Sequence, residues 1–226
     1  MQLVHRRVSI LPHIWEQLPG LGCPVHLGIT LSRPTAEVIE KIQELVDRGL
    51  GKRVSISLHN APFSPLGERE RWMELRQLQL EWLPRDCTHG VIWDDDHILE
   101  DKKELVEAID EGADLTYITK LFFWDSPKTY TTTFPDHNSV FSFRMLPGDR
   151  FPLDRTIHAP AAIHDRAKKV VQLKGRLLDY GYMDAYDRAT CWAEYKQAGK
   201  IDAATRPLVM PPNLVEWRGI NPFEKT

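Results

Sequence analysis

The amino-acid sequence predicts an α/β fold in which a mostly parallel sheet is flanked by helices. Between residues 24 and 96, segments with strand patterns alternate with segments of helical periodicity. After residue 112 the segments are rich in aromatic and β-branched residues, which favour strands of mixed direction. The chain has 226 residues, 42% of them hydrophobic, which is enough to bury a sizeable core, and we expect a single domain over residues 1–226.

The first half is predicted to run strand, helix, strand, helix, strand. Apolar and polar residues alternate in the strands, whereas apolar residues recur every three or four positions in the helices. The predicted strands are 25–31, 54–58 and 90–93, and the predicted helices run from Pro34 to Gly49 and from Ser64-Pro65 to Pro84. Such alternation implies parallel strands with right-handed crossovers, so the carboxyl ends of all three strands should share one edge.

The remaining segments follow the same criteria. A helix is predicted over Glu104–Glu111 and ends at Gly112, and another covers 184–198. Strands are predicted at 115–118, 121–124, 130–133 and 139–143. Residues 1–23 contain only a short candidate strand, Val8–Leu11, and the tail after Ile201 is rich in proline.

Three consecutive carboxylates, Asp94, Asp95 and Asp96 (the aspartate triplet), follow an apolar run and precede His97. Adjacent carboxylates repel one another, so they remain together at low cost only where a cation or hydrogen-bond donors hold them. Open α/β sheets bind ligands beyond the carboxyl ends of their strands, which is where the triplet is predicted to lie. The simpler interpretation, that Asp96 or Asp101 caps the next helix, requires only one carboxylate.

Asp94 and Asp96 form an Asp-x-Asp pair, whose hard oxygens suit Mg²⁺ or Mn²⁺ and, through the metal, phosphate groups. Phosphatases of the haloacid dehalogenase type carry such a pair on the first strand, which disagrees with its position here. Topoisomerase-primase sites add an upstream Glu near a Gly-rich turn, and none is evident. Nucleotide-sugar glycosyltransferases place the pair after a nucleotide-binding βαβ half, and this order of elements agrees best.

Three segments resemble family 2-type glycosyltransferases of the GT-A fold, a Rossmann-like architecture. Val91–Asp96 resembles the family's apolar run with its Asp-x-Asp. The other two segments comprise Phe141–Arg144 with Pro147–Phe151 and Ile157-His158, and Leu177–Met183 with Asp187-Arg188 and Tyr195. The resemblance covers about residues 24–200. It implies a nucleotide-sugar-binding half at about 24–112 and a mixed-strand acceptor half at about 113–200, and the Pro-rich tail at 201–226 lies outside it.

The resemblance also implies a metal site for Mn²⁺ or Mg²⁺. Asp96 would bind the metal directly, Asp94 directly or through the donor ribose, and Asp95 would assist. His158 would be the third metal ligand or a phosphate contact. Asp179 stands where many relatives have His, so it is the alternative third ligand or a donor-binding residue.

Further donor-binding and catalytic residues are expected around the metal. Thr30, Ser32 and Asn60, at the ends of the first two predicted strands, would contact the nucleotide base and ribose. Many relatives have Glu directly after the His matching His158, and this chain has Ala159, so the base that would deprotonate the acceptor is open. Asp154 is our choice, with Asp149 as the other nearby carboxylate. Additional candidates are Arg144, Arg150 and Arg206 for the diphosphate, and Phe122, Phe123 and Trp124 for stacking on the acceptor, although core packing suits these aromatics better.

The expected function is therefore metal-dependent transfer of a sugar, with inversion, from a nucleotide diphosphate donor to an acceptor hydroxyl, with a UDP-sugar as the leading donor. The alternatives are a metal-dependent phosphate-ester hydrolase or nucleotidyltransferase, and a non-catalytic relative that binds a nucleotide or glycan. A net charge of −3 argues against extended nucleic-acid binding. Cys23, Cys87 and Cys191 show no metal-type spacing, and no signal peptide or membrane span is evident, so we expect a cytoplasmic protein.

Overall fold

The structure is a computed structural model of the chain. It describes residues 2–4, 10–31, 34–63, 71–132, 138–151, 166–197, 213–219, 221 and 223, and at 2–4, 187, 191, 194, 195 and 197 the backbone alone. The strands are β1 (Gln2–Val4), β2 (Val25–Leu31), β3 (Val54–Asn60), β4 (His89–Val91), β5 (His97–Leu99), β6 (Leu115–Trp124), β7 (Thr129–Thr131), β8 (Asn138–Arg144), β9 (Val170–Tyr182) and β10 (Leu214–Glu216). The helices are α1 (Leu11–Gln17), α2 (Ala36–Arg48), α3 (Trp72–Trp82), α4 (Lys102–Asp110) and α5 (Ala185–Gln197), with a 3₁₀ turn at Pro19–Leu21.

The described strands form two sheets in a mixed α/β fold. The smaller sheet has the order β1-β2-β3 and is parallel, as predicted for β2 and β3. The larger, seven-stranded sheet has the order β10-β7-β6-β8-β4, with β9 beside β6 and β5 beside β9. Its pairings are antiparallel except for β6 with β9. The prediction of a mostly parallel sheet is therefore wrong for the main sheet.

The partner of β4 is the main difference from the predicted topology. β4 pairs antiparallel with β8, where Gly90 lies opposite Phe143, so it belongs to the larger sheet and not beside β2. Of the three strands that were predicted to end at one edge, only β2 and β3 therefore lie side by side in the same sheet. β4 has only three residues, too few for its own pattern to specify a partner, and the completely buried Phe141 and Phe143 favour its pairing with β8.

Strands β5 and β9 were also not predicted from the sequence. Strand β9 alternates between exposed and buried residues up to Arg176 and is then buried from Leu177 to Gly181. The Glu104 carboxylate anchors its outer part by accepting hydrogen bonds from the backbone N–H groups of Lys174 (2.7 Å) and Gly175 (2.8 Å). A three-residue strand such as β5 has no periodicity of its own and is defined only by its pairing with β9.

Helices α2 and α4 lie where local signals predict them, whereas α3 begins at Trp72 and not at the predicted Ser64-Pro65, and residues 64–70 lie outside the described part. Thr35 caps α2 by accepting a hydrogen bond from the Val38 N–H (3.3 Å), and Gly49, with φ 72°, ends that helix. Asp101 caps α4 by accepting from the N–H of Lys103 (2.9 Å), so the capping role belongs to Asp101 and not to the triplet. Helix α1 begins at Leu11, which corrects the short strand proposed over Val8–Leu11, although residues 5–9 lie outside the described part.

A continuous apolar core connects the two sheets. Ile29 of β2 and Ile42 of α2 belong to the same buried cluster as Trp93, Phe141 and the strands around them. Phe122, Phe123 and Trp124 are buried, which agrees with core packing and not with a stacking surface for an acceptor. Within the described residues, no helix is both long and apolar enough to cross a membrane.

The close packing of β4 on β8 gives a first testable prediction. A Cβ atom at Gly90 would lie 2.5 Å from the buried Phe143 ring, so Gly90→Ala should lower the free energy of unfolding by about 1–3 kcal/mol in urea denaturation. Gly28→Ala is the matched control, because its nearest contact, Leu83, would be an ordinary 3.5 Å away. Equal urea midpoints for the two variants would contradict the pairing of β4 with β8.

Candidate functional site

The aspartate triplet lies in the loop between β4 and β5. The Trp93 indole N–H donates to the His97 carbonyl (2.8 Å), and the Tyr180 N–H donates to the Asp96 carbonyl (2.9 Å). These bonds connect the loop to its own end and to β9. Two sequence-distant segments, both part of the resemblance described above, are thereby brought together.

Strand pairing then places a carboxylate opposite an imidazole. His97 of β5 and Asp179 of β9 are direct register partners, and His97 Nε2 lies 3.3 Å from Asp179 Oδ2. Asp96 Oδ1 lies 3.3 Å from the same nitrogen. One ligand atom from each of these three residues lies within 4.8 Å of the others. We call Asp96, His97 and Asp179 the ligand cluster.

A buried lysine completes this group. Lys120 of β6 is 9% exposed, and its Nζ lies 3.0 Å from His97 Nε2 and 3.8 Å from Asp179 Oδ2. Sequence patterns predicted no role for Lys120 or His97. A single lysine within the aromatic strand Leu115–Trp124 was the available signal, because an unpaired charge in a buried strand is costly.

Asp94 faces a different partner. Its Oδ1 accepts a hydrogen bond from Arg76, a side chain of α3 that is only 2% exposed and also donates to Gln79 Oε1 (2.9 Å). The Arg76 guanidinium lies over the Trp72 ring, 4.9 Å from its centroid. On its other side, the backbone N–H of Asp94 donates to His97 Nδ1 (3.4 Å), and Asp94 Oδ2 lies 3.8 Å from the same nitrogen.

Electrostatics keeps the two innermost carboxylates ionised. Burial by itself raises the pKa of Asp94, but Arg76, with His97 and Lys120, outweighs burial and holds that pKa well below its ordinary value. Burial likewise raises the pKa of Asp179, and His97, Lys120 and the Gly181 N–H, which donates to Oδ1 (2.8 Å), together bring it well below the ordinary value. At neutral pH both carboxylates are therefore ionised and cannot act as proton donors.

The ligand cluster fits a divalent cation by its chemistry. Two carboxylate oxygens suit Mg²⁺ or Mn²⁺, and the imidazole nitrogen shifts the preference towards Mn²⁺ or a later transition metal. Asp96 retains some solvent contact, with a side chain that is 17% exposed, whereas His97 and Asp179 are buried. A cation could therefore reach the cluster from the Asp96 side.

The structure describes three of the four other predicted donor-binding residues. Thr30 is buried within β2, and Asn60 is exposed at the end of β3, so both belong to the smaller sheet. Asp95 is half-buried beside the cluster residues. Ser32 lies outside the described residues. The donor-binding roles of these four residues stay predictions.

The predicted base and third metal ligand, Asp154 and His158, also lie outside the described residues, as do Ala159 and Arg206. The alternative base, Asp149, is engaged by the Arg166 guanidinium and by the Leu146 N–H (2.7 Å).

Arg144 and Arg150 were the remaining candidates for the diphosphate. Arg144 pairs with Asp114 (3.2 Å) and lies opposite His89, at the end of β4 that is remote from the triplet. Arg150 is exposed.

A separate cavity of about 760 Å³ lies near the amino ends of β2 and β3. Its walls are largely apolar, with contributions from α1, β4 and α4. Trp93, the residue directly before the aspartate triplet in sequence, also lines it. No member of the ligand cluster lines it. This cavity and the charged cluster therefore do not coincide, and the functional proposal rests on the cluster, since it contains the reactive groups.

Comparisons with known proteins add few constraints. No family model matches the chain, and no curated protein sequence matches it. A Bacillus anthracis protein named as a glucose-1-phosphate thymidylyltransferase aligns with a TM-score of 0.47 and 12% identity over 89% of this chain and 95% of its own. HddC from Yersinia pseudotuberculosis aligns with a TM-score of 0.44 and 12% identity, over 86% of this chain and 97% of its own. The inositol-1-phosphate CTP transferase of T. maritima aligns with a TM-score of 0.44 and 10% identity, over 89% of this chain and 96% of its own. Because these similarities are remote, no functional argument rests on them.

Proposed function

We propose that the protein is a metal-dependent transferase that acts on a nucleotide diphosphate sugar. The observation that carries this proposal is the convergence of Asp96, His97 and Asp179 within 4.8 Å. Asp96 and Asp179 come from two different segments that resemble family 2-type glycosyltransferases. These segments are far apart in sequence, since His97 and Asp179 are separated by 82 positions along the chain. Their proximity supports the resemblance, since segments that share a function must meet in the fold.

Asp96, His97 and Asp179 would hold a divalent cation, Mn²⁺ or Mg²⁺. When bound, the cation would supply Lewis acidity towards the diphosphate leaving group. Asp94 has a positioning role in this proposal, because Arg76 holds its Oδ1 and its backbone N–H donates to His97 Nδ1 (3.4 Å). A partner at the second nitrogen of a ligating histidine fixes the orientation of the ring.

The finer proposal is transfer of the sugar to an acceptor hydroxyl with inversion. Such a reaction requires a base near the acceptor, and Asp154 remains our candidate. Thr30, Ser32 and Asn60 would contact the nucleotide if the carboxyl ends of β2 and β3 face it. The described residues support the metal and diphosphate part of the proposal most directly, because that is where opposite charges and ligand atoms converge.

Binding measurements test the site first. We expect one nucleoside diphosphate among UDP, GDP, CDP and TDP to raise the melting temperature only when Mn²⁺ is present. A ligand at about one hundred times its Kd stabilises a fold by roughly 2.7 kcal/mol, which is readily measured. Asp96→Asn should abolish the shift, whereas the matched control Asp47→Asn, on the exposed face of α2, should retain it. A folded wild-type protein that responds to none of the nucleotides would contradict the proposal.

Product analysis then distinguishes two transferase classes that share this chemistry. Release of a nucleoside diphosphate from a nucleotide sugar, in the presence of an acceptor, would support glycosyl transfer. Release of pyrophosphate from a nucleoside triphosphate and a sugar 1-phosphate would instead support nucleotidyl transfer. Nucleotide binding without either product, over a broad acceptor panel, would indicate a non-catalytic relative.

A further inference from the structure

Lys120 lies beside the ligand cluster, and this position affects how a metal and a nucleotide would bind. Its ammonium group lies 3.0 Å from His97 Nε2 and 3.8 Å from Asp179 Oδ2. A divalent cation held by His97 Nε2 and Asp179 would be close to this ammonium group, so the two positive charges would repel each other.

We propose that Lys120 serves as an internal cation of the metal-free site, and that a bound metal displaces it onto the diphosphate of the nucleotide. This inference rests on the proposed metal and nucleotide site. It assigns to Lys120 a substrate-binding role that follows from its contacts with His97 and Asp179.

Charge balance supports the first part. Asp96 and Asp179 both approach His97 Nε2, and Lys120 is the cation that contacts this nitrogen in the described structure. Arg76 is already committed to Asp94 and Gln79. Lys120 therefore offsets the repulsion between the two carboxylates, at the cost of burying its own charge.

Reach and chemistry support the second part. Lysine carries a compact charge on a flexible four-carbon stem, so its ammonium group can move while the backbone stays in β6. A cation with a charge of two makes the ammonium group unfavourable beside His97, and phosphate oxygens near the metal offer it a new anionic partner. Lys120 would then bind the diphosphate from the β6 side of the cluster.

The test measures two affinities that should change in opposite directions in Lys120→Met. Mn²⁺ alone should bind at least about tenfold more tightly, because a competing charge within a few ångströms is removed. In saturating Mn²⁺, the nucleoside diphosphate should bind about 10–100-fold more weakly, as expected when a charge-assisted hydrogen bond is lost. Isothermal titration calorimetry measures both affinities on the full chain. Lys174→Met, an exposed lysine of the same sheet, should change neither.

Each other outcome identifies what has failed. If wild type binds Mn²⁺ and Lys120→Met binds it equally well or more weakly, the internal-cation role is wrong while the proposed function stands. If Mn²⁺ binding tightens but nucleotide affinity is unchanged, the diphosphate role is wrong. If neither protein binds Mn²⁺, both this inference and the proposed metal site are wrong.

Stability without metal provides an independent measurement. Lys120→Met should melt at a lower temperature than wild type in EDTA, and Mn²⁺ should raise its melting temperature by more than it raises that of wild type. If the variant folds poorly without metal, Lys120→Gln purified in Mn²⁺ is measured in the same way. An equal Mn²⁺-induced shift in variant and wild type would overturn the proposal.

Discussion

Replacing Arg76 by methionine is expected to lower the free energy of unfolding by about 3–5 kcal/mol, because it leaves the Asp94 carboxylate without its main partner. Arg76 is 2% exposed, and the Asp94 side chain is 18% exposed, so water can compensate little of the loss. The substitution also removes the hydrogen bond to Gln79 Oε1 and the contact with the Trp72 ring. Urea denaturation in EDTA measures the effect without a contribution from metal.

Two further variants identify the cause of this destabilisation. Arg48→Met is the matched control, because Arg48 pairs with Glu16 at 3.8 Å on the surface and should cost less than about 1 kcal/mol. The double variant Arg76→Met with Asp94→Asn should recover part of the stability, since a neutral amide no longer needs a cation. Additive losses in the double-mutant cycle would show that the Arg76–Asp94 pair is not the source of the effect.

The second large effect is expected at Asp179. Asp179→Asn keeps the shape of the side chain and an acceptor for the Gly181 N–H, but replaces the oxygen near His97 and Lys120 with an amide group. We expect Mn²⁺-dependent nucleotide binding to weaken by at least about 100-fold, and any transfer activity to fall by a similar factor, because residues that merely orient metal ligands already contribute about 10–100-fold.

Measurement at Asp179 requires a folded variant. Circular dichroism and the urea midpoint in EDTA show whether the fold is retained, and Asp47→Asn again serves as the exposed control. A folded Asp179→Asn protein with Mn²⁺ affinity within threefold of wild type would contradict the ligand role of Asp179. His158, outside the described residues, would then be the next candidate for that role.

Local sequence patterns predicted much of the first half correctly. Strand β2 and helix α2 follow from apolar periodicity together with the Gly49 stop, both of which act within a few residues, and α2 begins at Ala36, two residues after the predicted start at Pro34. Helix α4 with its cap at Asp101 follows in the same way. Such elements can be predicted because the interactions that define them are local.

The aspartate triplet was also evident from sequence, because adjacent carboxylates are costly without a partner. The identity of the partners was not evident. His97 meets Asp179 through the pairing of β5 with β9, and Arg76 reaches Asp94 from the buried side of α3. The sequence alone could identify where negative charge collects, but not which charges would compensate it.

By itself, the sequence determined helices α2, α4 and α5, the parallel pair of β2 and β3, and the position of the acidic site along the chain. Only the tertiary structure decided that β4 pairs with β8, that His97 lies opposite Asp179, and that Lys120 reaches them from β6. The physical reason is distance along the chain. Periodicity and capping act between residues a few positions apart, whereas strand partners and buried ion pairs connect residues tens of positions apart and exist only once the sheets have formed.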